Sequence, residues 1–318
     1  MGLRAIILAA GKGTRMKSDM LKVAHRVAGK PIVEYVLDTV LSLGVDQVYM
    51  VVGHQAELIQ NALAHKPMTY VTQAEQLGTG HAVMQVAPFF SPKTTDSVIV
   101  LAGDCPLISA ATLRNLLAVH TESNAAATIL TTVMDPPGTY GRIQRGKMGR
   151  VSGIKEAKDC SAQELEIREI NTGVYVFNAG QLFATLPELS TNNAQNEYYL
   201  TDVIHLLKER GKPIEAYCTP DSDQAIGINT RMDMAKINSI IYQNNNHVLM
   251  QEGVTIVDPA STFVDSTVKI GRDTIINPFT VIRGHSVIGH NSQIGPHAVL
   301  TNCQVAHDSV VPPFSVIE

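Results

Sequence analysis

The densest chemical signal in the sequence is the run Leu8-Ala9-Ala10-Gly11-Lys12-Gly13-Thr14-Arg15-Met16. Gly11 and Gly13 allow positive φ and close approach of a ligand to the backbone. Consecutive N–H groups in such a turn form an anion nest. Arg15 adds a planar, two-pronged cation suited to phosphate, and Lys22 follows seven residues later. These residue types together describe a cradle for a triphosphate. A dinucleotide-binding loop would put Gly or Ala at Met16 and an acid at the end of a second strand about 20 residues on. Glu34 and Asp38 instead fall in an expected helix. A P-loop needs Gly-Lys-Ser/Thr after four intervening residues, and that run is missing. The plainer alternative is a tight strand-to-loop turn with no ligand.

The elements around this loop alternate. Ala5–Ala9, Gln47–Val52, Met68–Val71 and Ser97–Leu101 read as short buried strands. Pro31–Leu43, Ala56–Leu63, Gly80–Ala87 and Ala111–Val119 read as helices, the first with Pro at its start and Gly44 past its end. The rhythm predicts an α/β fold: a Rossmann-like, mostly parallel sheet with helices on both faces. Ligands bind such sheets at the carboxyl ends of the strands, where the loops after Ala10 and Leu101 lie. From about 125 to 230 strands (Thr128–Val133, Val174–Phe177, Ile214–Tyr217) and helices mix, as in a second lobe or insertion over the same sheet. The nucleotide-handling domain is therefore placed at 1–230 and a connecting helix at 231–251. Within that stretch Arg231–Tyr242 has the helical pattern and Gln243–His247 is a polar linker.

Residues 252–318 have a different period. Val264, Ile270, Ile276, Ile282, Ile288, Ile294, Leu300 and Ala306 recur every six positions, and Gly271, Gly289 and Gly295 follow three of them. This is the signature of a hexapeptide β-helix, here a short left-handed one of about three coils. So few coils bury little alone, which predicts oligomerisation.

Composition sets bounds. With 25 Lys and Arg against 29 Asp and Glu among 318 residues, the formal net charge is −4. The bulk positive field of a nucleic-acid binder is missing. The four cysteines, Cys105, Cys160, Cys218 and Cys303, are scattered. That pattern argues against a disulfide framework or a zinc site and for reduced thiols in the cytoplasm. The apolar start Leu3–Ala10 is interrupted by Arg4 and is too short for a signal peptide or a membrane span. With no Trp, a carbohydrate would be held mainly by hydrogen bonds.

Further runs narrow the reading: QAEQLGTGHA (Gln73–Ala82), GDCPL (Gly103–Leu107), YGRI (Tyr140–Ile143), KEAKD (Lys155–Asp159), EINTG (Glu169–Gly173), NEYYLTD (Asn196–Asp202) and GINT (Gly227–Thr230). With the first loop and Lys22 they resemble the sugar-1-phosphate nucleotidyltransferases. Within those, the chain resembles the uridylyltransferase half of the bifunctional family that makes UDP-N-acetylglucosamine. The resemblance implies UTP and N-acetylglucosamine-1-phosphate as substrates, with pyrophosphate as the second product. It implies Arg15 and Lys22 as catalytic cations, and Mg2+ held by Asp104 and Asn229. A single carboxylate with phosphate oxygens and waters is a usual Mg2+ shell, although Asp104 alone reads equally well as a turn or helix cap. The nucleotide would be bound by Leu8, Ala10, Gly11, Gly13, Gln73, Gln76, Gly78 and Thr79. Gln73 carries a donor and an acceptor that match the edge of uracil. The sugar phosphate would meet Gly103, Gly141, Glu156, Asn171, Tyr199 and Thr201. A homotrimer through the β-helix is also implied, with no nucleic-acid or membrane partner.

Two positions depart from the family pattern: Leu21 stands where Pro usually precedes the lysine, and Cys105 follows Asp104. The coils stop at Glu318, so acetyltransferase activity, housed in further coils in that family, is expected to be absent here. His285, His290, His297 and His307 are not at constant offsets and read as turn or surface residues. Two other readings stay open: the same chemistry on another sugar-1-phosphate, and a non-catalytic nucleotide-sugar-binding scaffold. A hexapeptide acyltransferase fits less well.

Overall fold

The structure, a computed structural model, describes residues 2–91 and 93–318. Contacts divide the chain into two units. One holds residues up to Ala24 and Val33–Asn229, the other His25–Ile32 and Thr230–Glu318.

In the first unit, β1 (Leu3–Ala9) leads into a short 3-10 turn (Thr14–Met16). The hairpin β2 (Arg26–Val27) and β3 (Lys30–Pro31) belongs to the second unit. The first unit continues with α1 (Ile32–Leu41), β4 (Gln47–Val52), α2 (Ala56–Ala62), β5 (Thr69–Thr72), α3 (Thr79–Met84), β6 (Ser97–Ala102), α4 (Ala110–Glu122) and β7 (Ala127–Val133). A hairpin of β8 (Arg142–Arg145) and β9 (Val151–Lys155) follows, then α5 (Ala162–Leu165), β10 (Glu169–Asn178), α6 (Ala179–Thr185), α7 (Asp202–Glu209) and β11 (Ile214–Thr219).

The main sheet runs β11-β7-β10-β6-β1-β4-β5, with β8 on β10 and β9 on β8. Its neighbours are parallel except that β10 is antiparallel to β6, β7 and β8, and β8 to β9. Residues 125–230 thus extend the same sheet; they do not form a separate lobe. Alternation along β1 explains the two-faced core. Ala5, Ile7 and Ala9 pack with Val36, Leu37, Ile59 and Leu113. Ile6 packs on the other side with Val83, Leu182 and Val203.

The second unit begins with α8 (Arg231–Gln251), opened by a reciprocal cap between Thr230 and Asp233. Gln243–His247 are helical, not a linker. Their amides have work inside the unit: Asn245 Nδ2 donates to Val264 O at 2.7 Å and Asn246 Nδ2 to Thr262 O at 2.8 Å. Short strands from β12 (Thr255–Ile256) to β22 (Val316–Ile317) follow, stacked as three parallel sheets.

The inward columns are Ile256–Ile276–Ile294–Val311, Val264–Ile282–Leu300–Ile317 and Ile270–Ile288–Val305. The six-residue period therefore slips by one after Leu300. Val305, not Ala306, pairs with Ile288, because the turn at Asn302–Cys303 is one residue shorter. Buried Thr274 and Ser292 donate their hydroxyls to Gly289 O and Ala306 O across the coils.

The glycines after the inward residues lie under the next coil. A Cβ on Gly289 would stand 2.5 Å from His307 N. Gly289→Ala is expected to destabilise the second unit by about 2 kcal/mol, read as a lower denaturant midpoint in a coil-sensitive unfolding curve.

Candidate active site

β1 sits between β6 and β4, and all three run parallel, so the loops after Ala9, Ala102 and Val52 emerge at one edge. Gly103 N–H donates to Leu8 O at 2.9 Å, which sets Asp104 beside the β1 loop. Ile228 N–H donates to Asp104 O at 2.9 Å and so draws Gly227–Asn229 to the same place.

Gly13 has φ 62°, and a Cβ there would stand 2.5 Å from Lys22 Cβ. The left-handed turn is what admits Lys22. Gly11 differs from expectation. Its φ is not positive, and no protein atom lies within 4 Å of where its Cβ would be. It leaves space beside the loop and is not needed for the turn.

The four expected charge-handling residues come together. Lys22 Nζ pairs with Asp104 Oδ2 and donates to Asn229 Oδ1 at 3.1 Å. Arg15 Nη2 donates to the same Asn229 Oδ1 at 2.9 Å. Both oxygens thus point at one ammonium. Hard oxygen donors aimed at a common cation suit a hard divalent metal ion. Among the described residues no cluster of three or more His, Cys, Asp or Glu side chains is placed to hold a metal. Cys105 is buried, and its thiol donates to Asp104 Oδ1 at 3.4 Å. Burial, followed by the Asp104 charge, pushes this thiol well up, so it stays protonated.

A cavity of about 500 Å³ opens beside this group. Leu8, Ala10, Gly11 and Gly13 line it together with Gln73, Gln76, Gly78, Thr79, Lys22 and Asp104. Gln73 is 3% exposed. Thr79 lines the cavity, but its hydroxyl accepts from Leu200 N at 3.1 Å. Arg15, Asn229 and Gly103 lie outside the lining. Lys12 and Glu197 line it without having been singled out. Lys12 stood in the loop run itself, whereas nothing in the spacing marked Glu197.

Of the residues expected at the sugar, Gly103 lies instead by the β1 loop, and the others, Gly141, Glu156, Asn171, Tyr199 and Thr201, are also outside that lining. Thr201 Oγ1 donates to Glu156 Oε1 at 3.2 Å. Asn171 N–H donates to Gly141 O at 2.8 Å. A Cβ on Gly141 would stand 3.5 Å from Glu156 Oε2. The Asn171 side chain is spent internally, donating to Tyr175 OH and accepting from Gly173 N. Gln195 Nε2 donates to Tyr199 OH at 2.9 Å. Burial pushes the Glu156 carboxyl above the usual carboxylate range. The Thr201 hydroxyl opposes this, and the charges of Asp159, Asp202 and Glu197 add to it.

Residues 5–194 match the MobA-like NTP transferase domain, and 267–302 match bacterial transferase hexapeptide repeats. The bifunctional protein GlmU of Geobacillus sp. (strain WCH70) is 48% identical, aligned over 96% of this chain and 69% of its own length. That of Syntrophomonas wolfei subsp. wolfei is 46% identical over 100% and 70%. The chain belongs to the GlmU family. It is an enzyme, a nucleotidyltransferase of the UDP-N-acetylglucosamine pyrophosphorylase class. A crystal structure of a Bacillus anthracis protein, provisionally named a glucose-1-phosphate thymidylyltransferase, superposes with a TM-score of 0.61 at 18% identity. It covers 75% of this chain and 95% of that one, and it shares the fold.

The role of Gly13 is testable. Gly13→Ala is expected to keep native secondary structure by circular dichroism. By displacing Lys22 it should lower kcat/KM for pyrophosphate release on the order of 10²-fold.

Proposed function

We propose that this chain transfers a uridylyl group from UTP to N-acetylglucosamine-1-phosphate, releasing pyrophosphate. The observation that carries the reading is the meeting of Arg15, Lys22, Asp104 and Asn229 beside the cavity, in a chain of this family.

The chemistry asks for charge control more than for proton transfer. A phosphate monoester has its second pKa near 6, so the sugar phosphate arrives already ionised and needs no general base. Its oxygen attacks the α-phosphorus of UTP, the α–β bridging bond breaks, and pyrophosphate leaves with that electron pair. Arg15 and Lys22 neutralise the phosphate oxygens and hold attacking and leaving groups in line. Asp104 and Asn229 would hold Mg2+, which when bound supplies further neutralisation of the triphosphate charge. Incoming phosphates would take over the two cations that Asn229 and Asp104 engage in the structure.

Leu8, Ala10, Gly11, Gly13, Gln76, Gly78 and Thr79 shape the nucleotide cavity, and Gln73 reads the base. Glu156, Asn171, Tyr199 and Thr201, with backbone at Gly103 and Gly141, meet the sugar. Acetyl transfer is not assigned to residues 1–318. No helix among the described residues is long and apolar enough to cross a membrane, and the reaction is placed in the cytoplasm, where a nucleoside triphosphate is available.

The test is pyrophosphate release with UTP and Mg2+ across a panel of sugar-1-phosphates, with an EDTA control. N-acetylglucosamine-1-phosphate should be preferred and EDTA should abolish turnover. Asp104→Ala and Lys22→Ala should each cost at least ~10²-fold in kcat. Near wild-type turnover in both variants removes their assigned roles, and preference for another sugar moves the substrate.

We also propose a homotrimer through the β-helix. Phe263, Val281, Val299 and Val316 stand in register on one sheet and face outward. Phe263 and Val316 are 41% and 70% exposed. Sedimentation equilibrium is expected to give three times the mass of one chain, and Val299→Glu to shift it toward the monomer. A concentration-independent monomer in the unmodified protein excludes the trimer.

A further inference from the structure

Gln73 is turned by a neighbour that is not part of the cavity lining. Its amide nitrogen stands 3.1 Å from Gly78 O. A carbonyl oxygen only accepts, so the atom there is the –NH2 and not the oxygen. The second hydrogen of that –NH2 meets His81 Nδ1 at 3.1 Å. Both donors are then committed, and Oε1 is the polar atom left to face the cavity.

His81 lies half-buried on α3 with its ring 6.3 Å from that of Tyr198. A neutral imidazole has one acceptor nitrogen and one N–H. Two amides compete for the acceptor, because Gln85 Nε2 stands 3.1 Å from His81 Nε2. Gln85 is half-buried and also donates to His81 O at 3.1 Å, whereas Gln73 is 3% exposed. The more deeply buried amide loses more if left unpaired, so the acceptor at Nδ1 serves Gln73.

We propose that His81 is a positioning residue for base selection: together with the Gly78 carbonyl it holds the Gln73 amide with its oxygen toward the base. The site then accepts a pyrimidine with N3–H, as in uracil, and meets the bare N3 of cytosine lone pair to lone pair. Without the His81 acceptor only the Gly78 carbonyl opposes turning the amide over, so offering –NH2 to cytosine costs less. The proposal rests on the uridine-nucleotide reading given above. It names the side chain that, beside the Gly78 carbonyl, makes Gln73 selective.

The experiment measures Kd for UTP and for CTP by calorimetry, and pyrophosphate release with each, on the full chain and on His81→Ala, His81→Asn and His81→Gln. The unmodified protein prefers UTP. His81→Ala reduces the UTP-over-CTP preference roughly tenfold through a weaker Kd for UTP and a stronger one for CTP. Its kcat at saturating UTP stays within about twofold. His81→Asn, which sets an amide oxygen near the place of Nδ1, restores most of the preference, while His81→Gln does not. An unchanged preference in His81→Ala overturns the proposal alone. Equal loss of both nucleotides, or a fall in kcat with the preference intact, makes His81 merely structural and overturns it too. If the unmodified protein binds UTP and CTP alike, the uridine reading fails and takes the proposal with it.

Discussion

Charge at the carboxyl edge of the sheet governs the first unit. The Lys22 ammonium is held between the Asp104 carboxylate and the Asn229 amide oxygen, and Arg15 reaches that same oxygen. These residues come from three separate stretches of chain, the loop after β1, the loop after β6 and the segment before α8. They meet because β1 and β6 are parallel neighbours, because Ile228 is tied to the Asp104 backbone, and because Gly13 can turn left-handed. Lys22 and Asp104 side chains are only 13% and 16% exposed. Removing one partner leaves a largely desolvated charge behind. The arrangement is thus also a constraint on stability, and polyanion chemistry can exchange its partners without leaving any of them bare.

The polar residues divide by the kind of ligand they suit. Cations and a glycine-bearing loop line the cavity, where a triphosphate would need neutralising. The second group has a different character. Glu156 is held by Thr201 and its carboxyl is pushed up by burial, and Tyr199 is oriented by Gln195. A carboxyl less inclined to ionise, beside hydroxyl and amide groups, suits neutral sugar hydroxyls better than phosphate. Asp159, Glu197 and Asp202 surround Glu156 with like charge, which would repel a second polyanion from that side.

Much of this was legible before the fold was known, for definite reasons. The strands of the sheet are apolar runs bounded by turn residues, and the loop after β1 carries its glycines and Arg15 in one short stretch. The β2–β3 hairpin was not legible, since two-residue strands leave no periodicity. Gln243–His247 looked like a linker because five polar residues in a row rarely continue a helix; here two of their amides bond coil carbonyls. The slip from Ala306 to Val305 came from one missing turn residue, which a count by sixes passes over. Glu156, Asn171 and Tyr199 were reached through family resemblance and not through their own spacing. Lys12, Glu197 and His81 escaped notice because their significance is tertiary. His81 matters only once Gly78 O has taken the other hydrogen of Gln73.

In the second unit, strand geometry leads to an argument about assembly. Successive residues of a strand face opposite ways, so each two-residue strand of the coil gives one side chain to the core and one to the surface. The inward columns of Ile, Val and Leu are covered by the coil itself. The outward column Phe263–Val281–Val299–Val316 is only partly covered: the Tyr242 ring of α8 packs edge-on against Phe263, Val281 and Val299 are half-buried, and Val316 is exposed. Turn residues Asp273, Asn291 and Asp308 hold left-handed φ of 63°, 55° and 56°, one above another. Gly271 and Gly289 leave no room for a side chain beneath the next coil. Such a backbone cannot twist to hide apolar groups. An apolar column that the fold holds in place but only partly buries is satisfied by another chain presenting a matching surface, which is why the proposed association is placed on this sheet.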